Sequence, residues 1–260
     1  NYINITMDSN STIRKINKSR QNLRKYLSEE WKTDVIKDYS DKEIEKIYKS
    51  SQHIKDGIIF GAASSCNISL YHKKIKSHRL HIIYYNFPEI GRPSVKINKQ
   101  CADKLNNLYE EGIISTEDSL IVILLNPVPE TLEKSIEDLY SSGQEDLIKN
   151  GLSEQILSEN EELDEDKYNN YHFKNVHIFH LATLSIDILN HSMVPNHEVF
   201  RFENDIQKIC DKCNCRKDQL PIIDRNDAVA KRLRIAPGDI CKITRVGNTV
   251  GETDYYRLCK

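Results

Sequence analysis

The spacing of apolar residues predicts two amphipathic helices at the start of the chain. Over residues 12–27 apolar side chains recur at helical intervals, while the other faces carry lysine and arginine. A second helix is predicted from Ser40, because Ser40 and Glu43 have the spacing of a capping box. The basic face of the first helix has two interpretations, attraction to a polyanion or a solvated surface. For one helix alone, the solvated surface is favoured.

Short β-branched runs and one fully apolar run then predict a partly parallel sheet. The β-branched runs are GIIF from Gly57, NISLY from Asn67 and RLHIIYY from Arg79. A turn region, NFPEIGRPSVK, and a helix over residues 98–111 with Gly112 as its C-cap follow. SLIVILL from Ser119 is apolar at every position, which is typical of a strand buried on both faces. This order predicts a right-handed crossover between parallel strands.

An acidic stretch over about residues 126–172 interrupts this order. Residues 126–175 contain 13 acidic and 4 basic residues, whereas residues 1–85 contain 9 acidic and 16 basic ones. We predict a short helix at 132–139, followed by a mobile insertion outside the core, because the second half is poor in aromatic residues. The next run, NVHIFHLATL, again predicts a strand.

The last 70 residues have the pattern of a separate small domain, so we divide the chain into domains at 1–190 and 191–260. A helix is predicted at 202–213, followed by a short strand and a second helix that Asp227 caps. The runs DICKITR and DYYRL alternate apolar with polar residues. They predict an antiparallel pair, with its turn between Val246 and Glu252.

Composition narrows the class of protein. The 260 residues are 38% hydrophobic and 29% charged, and no apolar run approaches the roughly 18–20 residues of a membrane-spanning helix. The first residue is Asn1, and we expect either missing upstream residues or a natural start at Met7, with no secretory signal. Seven scattered cysteines favour a reducing compartment. Cys210, Cys213 and Cys215 lack a fourth ligand for zinc, so we predict no metal and no cofactor.

Candidate chemistry is sparse. A nuclease would need an acidic residue after one strand and an acid-x-Lys pair on the next. Glu89 supplies the first acid, but SLIVILL has no charged residue and Ser94 stands two positions before Lys96. His177 and His180 flank a strand, where we expect satisfied or solvent-facing side chains. No phosphate loop or nucleophile elbow is present, so we predict that the chain is not an enzyme.

The C-terminal residues resemble a known family. HSMVPNHEVF from His191, followed by QLPIIDRNDAVAKRLRIAPGDICKITRVGNTVGETDYYRL from Gln219, is similar to the assembly domain of a DNA-directed RNA polymerase subunit. That family is the fifth subunit shared by the eukaryotic nuclear polymerases, together with its archaeal counterpart. The matching positions are His191, Val194, Pro195, His197, Gln219, Leu220, Pro221, Ile223, Asp227, Val229, Ala230, Gly238, Lys242, Ile243, Arg245, Thr249, Gly251, Tyr256 and Arg257.

The sequence also departs from the family pattern. Asp227-Ala228 stands where the family has Asp-Pro, and Gly247-Asn248 where it usually has Ser-Glu. The RIAPGD approach to Gly238 and the longer acidic stretch also differ from the family. With the composition rich in Asn, Lys and Ile, these departures favour a large cytoplasmic DNA virus over a cellular source. We therefore expect the virion and host cytoplasm as the location, or the nucleus for a cellular eukaryotic source.

The resemblance implies an α+β or α/β fold: an N-terminal jaw domain, similar to restriction endonucleases but without their active site, and a small α/β assembly domain. It implies a non-catalytic structural subunit that docks on the largest polymerase subunit, with the jaw near downstream DNA. No membrane or small-molecule substrate is expected. The implied contacts with the largest subunit are His191, Pro195, His197, Pro221, Arg225, Asp227, Gly238, Lys242, Arg245, Gly251, Tyr256 and Arg257. The candidate DNA-proximal residues are Arg14, Lys15, Lys18 and Arg20. The alternatives are a stand-alone DNA-binding protein and a nuclease of restriction-endonuclease-like fold.

Overall fold

The computed structural model describes residues 9–50, 58–89, 92, 97, 100–151, 168–247 and 251–260. In these ranges the helices are α1 (Ser9–Leu27), α2 (Asp41–Ser50), α3 (Gln100–Glu110), α4 (Glu130–Lys149), α5 (Leu181–Leu184), α6 (Glu203–Cys213) and α7 (Ala228–Arg232). The strands are β1 (Ile68–Tyr71), β2 (Arg79–Tyr85), β3 (Ser119–Leu124), β4 (Val176–His180), β5 (Asn196–Phe200), β6 (Ile222–Ile223), β7 (Ile240–Gly247) and β8 (Gly251–Cys259). Mixed α and β elements in two sheets make this an α+β protein.

The first sheet has the strand order β1-β2-β3-β4. β1 and β2 are antiparallel, whereas β2, β3 and β4 run parallel, with α3 and α4 in the connections that parallel strands require. β3 is buried at every position, because α1 and α2 pack on one face of the sheet and α3 and α4 on the other. The predicted partly parallel sheet is confirmed.

The GIIF prediction was wrong for the part that the structure describes. Ile58–Phe60 form no strand, while Gly57 lies outside the described residues. The chain instead turns at Gly61, whose φ is +102°, and forms an isolated bridge with Phe87. The NFPEIGRPSVK turn is described only in part, with a turn at Asn86.

A substitution of Gly61 by alanine should destabilise the chain more than the same change at Gly112. Both glycines have positive φ, but a Cβ at Gly61 would lie 2.8 Å from the carbonyl oxygen of Phe87, whereas one at Gly112 would meet nothing within 4 Å. We expect about 1 kcal/mol for the backbone conformation at either site and roughly 1–3 kcal/mol more at Gly61 for the clash. Urea unfolding of both variants measures the difference, and equal losses would refute the close approach.

The predicted short helix at 132–139 is confirmed, but it is longer than expected and packs into the core. α4 extends over 20 residues, and its buried side chains recur at helical spacing from Leu132 to Leu147. Its acidic residues occupy the other faces, so composition concealed an amphipathic helix. Tyr168 and Phe173, beyond the helix, are buried as well. Residues 152–167 of the predicted mobile insertion lie outside the described residues.

The second sheet has the strand order β5-β7-β8-β6, with α6 on one face and α7 on the other. The predicted antiparallel pair is confirmed as β7 and β8, which pair from Ile240 with Leu258 out to Gly247 with Gly251. β5 was not predicted, since its short polar segment gives no clear alternation. The two sheets lie on either side of residue 190, and the domain boundary there stays a prediction.

Candidate functional site

A buried polar network joins the second sheet to the first part of the chain. Asp239, which precedes β7 and has no exposed surface, lies 2.8 Å from Nε2 of His172 and accepts hydrogen bonds from Asn169 (2.7 Å) and the Ala236 amide (2.9 Å). Burial alone would raise the pKa of Asp239, but His172 and Arg201 outweigh burial and hold that pKa below its ordinary value. Asp239 is therefore a carboxylate that links the two parts of the chain.

Two buried arginines from the segment before β7 strengthen this link. Arg225 donates to Oδ1 of Asn175 and to the Val176 carbonyl, both at 2.8 Å, and its guanidinium lies 3.8 Å from the Tyr140 ring centre. Arg234 donates to the Asn175 carbonyl at 2.8 Å from a left-handed backbone position with φ of +53°. Burial lowers the pKa of Arg234 to about 10. The sequence carried no signal of these long-range contacts.

Arg225 is one of the predicted contacts with another subunit, and its contacts within the chain leave little of its surface for a partner. Its side chain is buried, and it forms an ion pair with Glu137 at 2.6 Å as well as bonds to the start of β4. The two terminal nitrogens of this buried guanidinium find their acceptors within the chain, whereas Nε has no hydrogen-bond partner among the described residues. Pro221 and Asp227, on the same stretch, are exposed, and Asp227 caps α7 as predicted by accepting from the Val229 amide at 2.8 Å.

The outer half of the β7–β8 hairpin carries an open, partly apolar surface. With the loop before β5 it forms a groove of about 830 Å³. The groove is lined by Ser192, Met193, Val194, Pro195, Asn196, Lys242, Thr244, Arg245, Val246, Glu252 and Asp254, and we call it the hairpin groove. Met193 is 82% exposed and Val246 78% exposed. Exposed apolar side chains grouped with charged ones are typical of protein-binding surfaces.

Ion pairs and a cation–π contact hold charged side chains in place at this groove. Lys242 forms ion pairs with Glu198 at 3.3 Å and with Asp254 at 3.6 Å. Arg245 lies 5.1 Å from the ring centre of Tyr255, which is 47% exposed. An arginine stacked on an exposed tyrosine combines two residue types that recur at the energetic centres of protein interfaces.

The structure separates the other predicted contacts into three groups. Pro195, Lys242 and Arg245 line the hairpin groove, with exposed His191 on the loop beside it and half-buried His197 in β5. Gly251 lies at the tip of the same hairpin. Tyr256 and Arg257 are half-buried, and their polar atoms contact Lys212 and the Ile222 carbonyl. Gly238 is half-buried and lies beside Asn169.

The basic face of α1 is only partly exposed. Arg14, Lys15 and Lys18 are exposed, and Arg14 lies 3.5 Å from Asp41. Arg20, also predicted to be DNA-proximal, is buried and donates to the Cys66 carbonyl at 2.8 Å, so it exposes little charge to a duplex. It lies on the face of α1 that packs against the sheet, and its guanidinium lies 5.7 Å from the ring centre of Tyr39.

Other candidate chemistry gains little from the structure. The described residues include no group of three or more side chains suited to hold a metal ion, and no helix among them is long and apolar enough to cross a membrane. Glu89 forms an ion pair with Arg92 at 2.9 Å, while Ser94 and Lys96 lie outside the described residues. The prediction that His177 is satisfied or solvent-facing was wrong. The side chain is buried, and neither ring nitrogen has a hydrogen-bond partner among the described residues.

Sequence comparison adds relatives for the part of the chain that contains the hairpin groove. Residues 186–259 match the family described as RNA polymerase Rpb5, C-terminal domain. The DNA-directed RNA polymerase subunit Rpo5 of Methanosarcina barkeri is 41% identical over 71 residues, which are 27% of this chain and 90% of that protein. Rpo5 of Sulfolobus acidocaldarius is 43% identical over 72 residues, which are 28% of this chain and 84% of that protein.

The matched residues contain all four strands of the second sheet together with α6 and α7. The predicted resemblance is thereby confirmed for the family, and with it the prediction that the chain is a polymerase subunit and not itself an enzyme. The archaeal relatives align along nearly their whole length, at an identity that shows common descent. The chain belongs to the Rpb5/Rpo5 family of DNA-directed RNA polymerase subunits.

Proposed function

We propose that this chain is a structural subunit of a multisubunit DNA-directed RNA polymerase that docks on the largest subunit through the hairpin groove. The observation that carries the proposal is the coincidence of two features. Residues 186–259 are the part shared with polymerase subunits, and the exposed apolar side chains Met193 and Val246 lie within them. A shared domain that leaves such residues exposed has a surface suited to a protein partner.

The proposal assigns the first part of the chain to the jaw that faces downstream DNA. Its support is the mixed sheet with helices on both faces and the exposed cations Arg14, Lys15 and Lys18 on α1. Cations of this kind attract the phosphates of a duplex without reading its sequence, so this contact is weak and sensitive to salt. We also propose a viral source, with the protein in the virion and the host cytoplasm, and the nucleus as the location in a cellular eukaryotic source.

Affinity purification of the tagged full chain from its native source tests the proposal. Mass spectrometry should identify the largest polymerase subunit in the same complex. Recovery of the chain alone would overturn the proposal. Duplex binding by the isolated chain with a steep salt dependence would then favour a stand-alone DNA-binding protein, and magnesium-dependent cleavage that Glu89→Ala abolishes would favour a nuclease.

Charge reversal at the hairpin groove should reduce assembly. Arg245→Glu is expected to lower incorporation into the polymerase about tenfold or more, because it places a carboxylate at the centre of the proposed interface. Lys18→Glu, on the exposed face of α1, should leave incorporation unchanged while weakening duplex binding by the complex. Quantitative mass spectrometry of purified complexes compares the two variants. Equal incorporation of both would exclude the hairpin groove as the docking surface.

A further inference from the structure

A second open cleft lies between the two parts of the chain, away from the hairpin groove. It has a volume of about 500 Å³ and is bounded by the segment after β3, the end of β4, the segment around α5 and helix α7. We call it the interdomain cleft. Its lining residues are Pro127, Val128, Ile178, Phe179, His180, Thr183, Ile186, Ile188, Asn226, Ala228, Lys231 and Arg232.

The surface of this cleft is mainly apolar. Phe179 and Ile178 form buried parts of the lining, while Val128 and Ile188 are half-buried. Ile186 is 58% exposed to solvent. An exposed isoleucine beside an open cleft keeps apolar area in contact with water, and covering that area would be favourable by roughly 25 cal/mol per Å².

The charged groups of the lining are cationic. They are Lys231 and Arg232, because burial lowers the pKa of His180 and keeps it neutral near pH 7, and the lining contains no acidic residue. Lys231 already contacts a carboxylate, Glu133, at 2.6 Å. Arg232 donates instead to two main-chain carbonyls, those of Ala228 at 2.6 Å and Thr183 at 2.8 Å. Burial lowers the pKa of Arg232, and the nearby Tyr26 hydroxyl and Asp227 carboxylate offset that effect only in part. The charge of Arg232 is therefore incompletely balanced within the chain, so the cleft favours an occupant that carries a carboxylate.

The position of the cleft also points to binding. It lies beyond the carboxyl ends of the parallel strands β3 and β4, the place where open sheets with parallel strands commonly bind ligands. Pro127 and Thr183 lie outside the residues that match the family, whereas Ala228 and Arg232 lie inside them. The cleft therefore needs both parts of the chain, unlike the hairpin groove.

We propose that the interdomain cleft binds a short apolar and acidic segment of another polymerase subunit. An apolar side chain of that segment covers Phe179 and Ile186, and a carboxylate faces the edge formed by Lys231 and Arg232. This inference rests on the proposed function, because it takes the partner from the same complex. A nucleic acid fits less well, since a phosphate backbone needs a row of cations, whereas this lining contains only one lysine and one arginine and is otherwise mainly apolar.

Site-specific photocrosslinking within the purified polymerase tests the occupant. A photoreactive benzophenone amino acid replaces Thr183, which is exposed at the cleft, in the full chain. The matched control carries it at Ile148, which is 61% exposed on α4 and outside the cleft lining. After irradiation we expect one peptide of another polymerase subunit, containing aliphatic and acidic residues, to be crosslinked from position 183 and not from 148.

Paired charge variants test the chemistry of the occupant. Ile186→Glu should reduce the crosslink from position 183 about tenfold, while Ile186→Lys should reduce it by about threefold or less, because only the glutamate repels a carboxylate. Ile148→Glu and Ile148→Lys should both leave the crosslink unchanged. Equal losses from the two Ile186 variants, or a larger loss with lysine, would overturn the proposed acidic segment.

The failures of the two proposals are distinguishable. The chain could co-purify with the largest subunit but give no crosslink from position 183. That result would refute binding at the interdomain cleft and would leave docking through the hairpin groove unaffected. A crosslink to nucleic acid, or to a peptide without acidic residues, refutes the cleft in the same way. A chain that never co-purifies with polymerase refutes both proposals.

Discussion

Replacing Asp239 by alanine is expected to lower the free energy of unfolding by about 3–5 kcal/mol. The change removes the carboxylate from a buried network and leaves His172 and Arg201 without their shared partner. Arg201 keeps its contact with Glu30 at 3.0 Å, so the guanidinium is not wholly unpaired. Because Asn169 and His172 precede the second sheet in the chain, the loss should loosen the joint between the two parts.

Urea unfolding at pH 7, followed by tryptophan fluorescence, measures this effect. Trp31 is the single tryptophan and is buried with its ring centre 4.9 Å from that of His78, so its emission reports on the first part of the chain. The matched control is Asp218→Ala, which removes an exposed carboxylate paired with Arg216 and should change stability little. A similar small change at Asp239 would show that the buried network contributes nothing to folding.

The chain is also expected to lose stability steeply as the pH falls from about 6.5 to 5. Burial lowers the pKa of His72 to about 4, and it places the pKa of His78 and of His177 well below the ordinary value. The unfolded chain then binds protons that the folded chain does not, so stability decreases as the pH falls below the unfolded pKa. Each histidine contributes about 1.4 kcal/mol per pH unit, or roughly 4 kcal/mol per unit for the three.

Asp239 does not contribute to this pH window. Its folded pKa is lowered, so its stabilising effect is present above the unfolded value of about 3.9 and is lost only as the pH falls below that value. Unfolding measured at half-unit steps between pH 7.5 and 5 therefore isolates the buried histidines. A flat profile over this range would contradict their neutral, buried state.

Substitution of His177 tests most directly whether the buried histidines cause this loss of stability at low pH. Its ring nitrogens have no hydrogen-bond partner in the described part of the chain, and burial followed by the nearby charges of Arg225 and Arg234 lowers its pKa. His177→Leu should stabilise the chain at pH 7 by about 1 kcal/mol, because it removes unsatisfied polar atoms, and should flatten the pH slope by about 1.4 kcal/mol per unit. His191→Leu, at an exposed position, is the control and should leave the slope unchanged.

Local sequence patterns determined many of the elements. Helical spacing predicted α1, α3 and α6, the uniformly apolar run predicted β3, and Asp227 marked the start of α7. These features depend on residues a few positions apart, so a single sequence contains all the information they need. The family resemblance rested on a similar basis, an ordered pattern over the last 70 residues.

Two predictions overlooked burial for a common reason. Composition began the mobile insertion just after the predicted helix at 132–139, although the apolar residues keep the period of a buried helix as far as Leu147 in α4. The basic helix face suggested Arg20 as DNA-proximal, and the family resemblance implied Arg225 as a contact with the largest subunit, although both side chains are buried. An average over a segment does not show which face of a helix meets the core, and a charge does not show whether a partner lies within the chain.

The sequence alone determined which residues form helices and strands over most of the described chain, and to which polymerase family its last domain belongs. Only the tertiary structure decided which charged residues are free for partners. Arg225 meets Asn175 across 50 positions of sequence and Lys231 meets Glu133 across 98. Such pairs form only after the two sheets have packed, because the burial that makes each charge need a partner is itself a product of the fold.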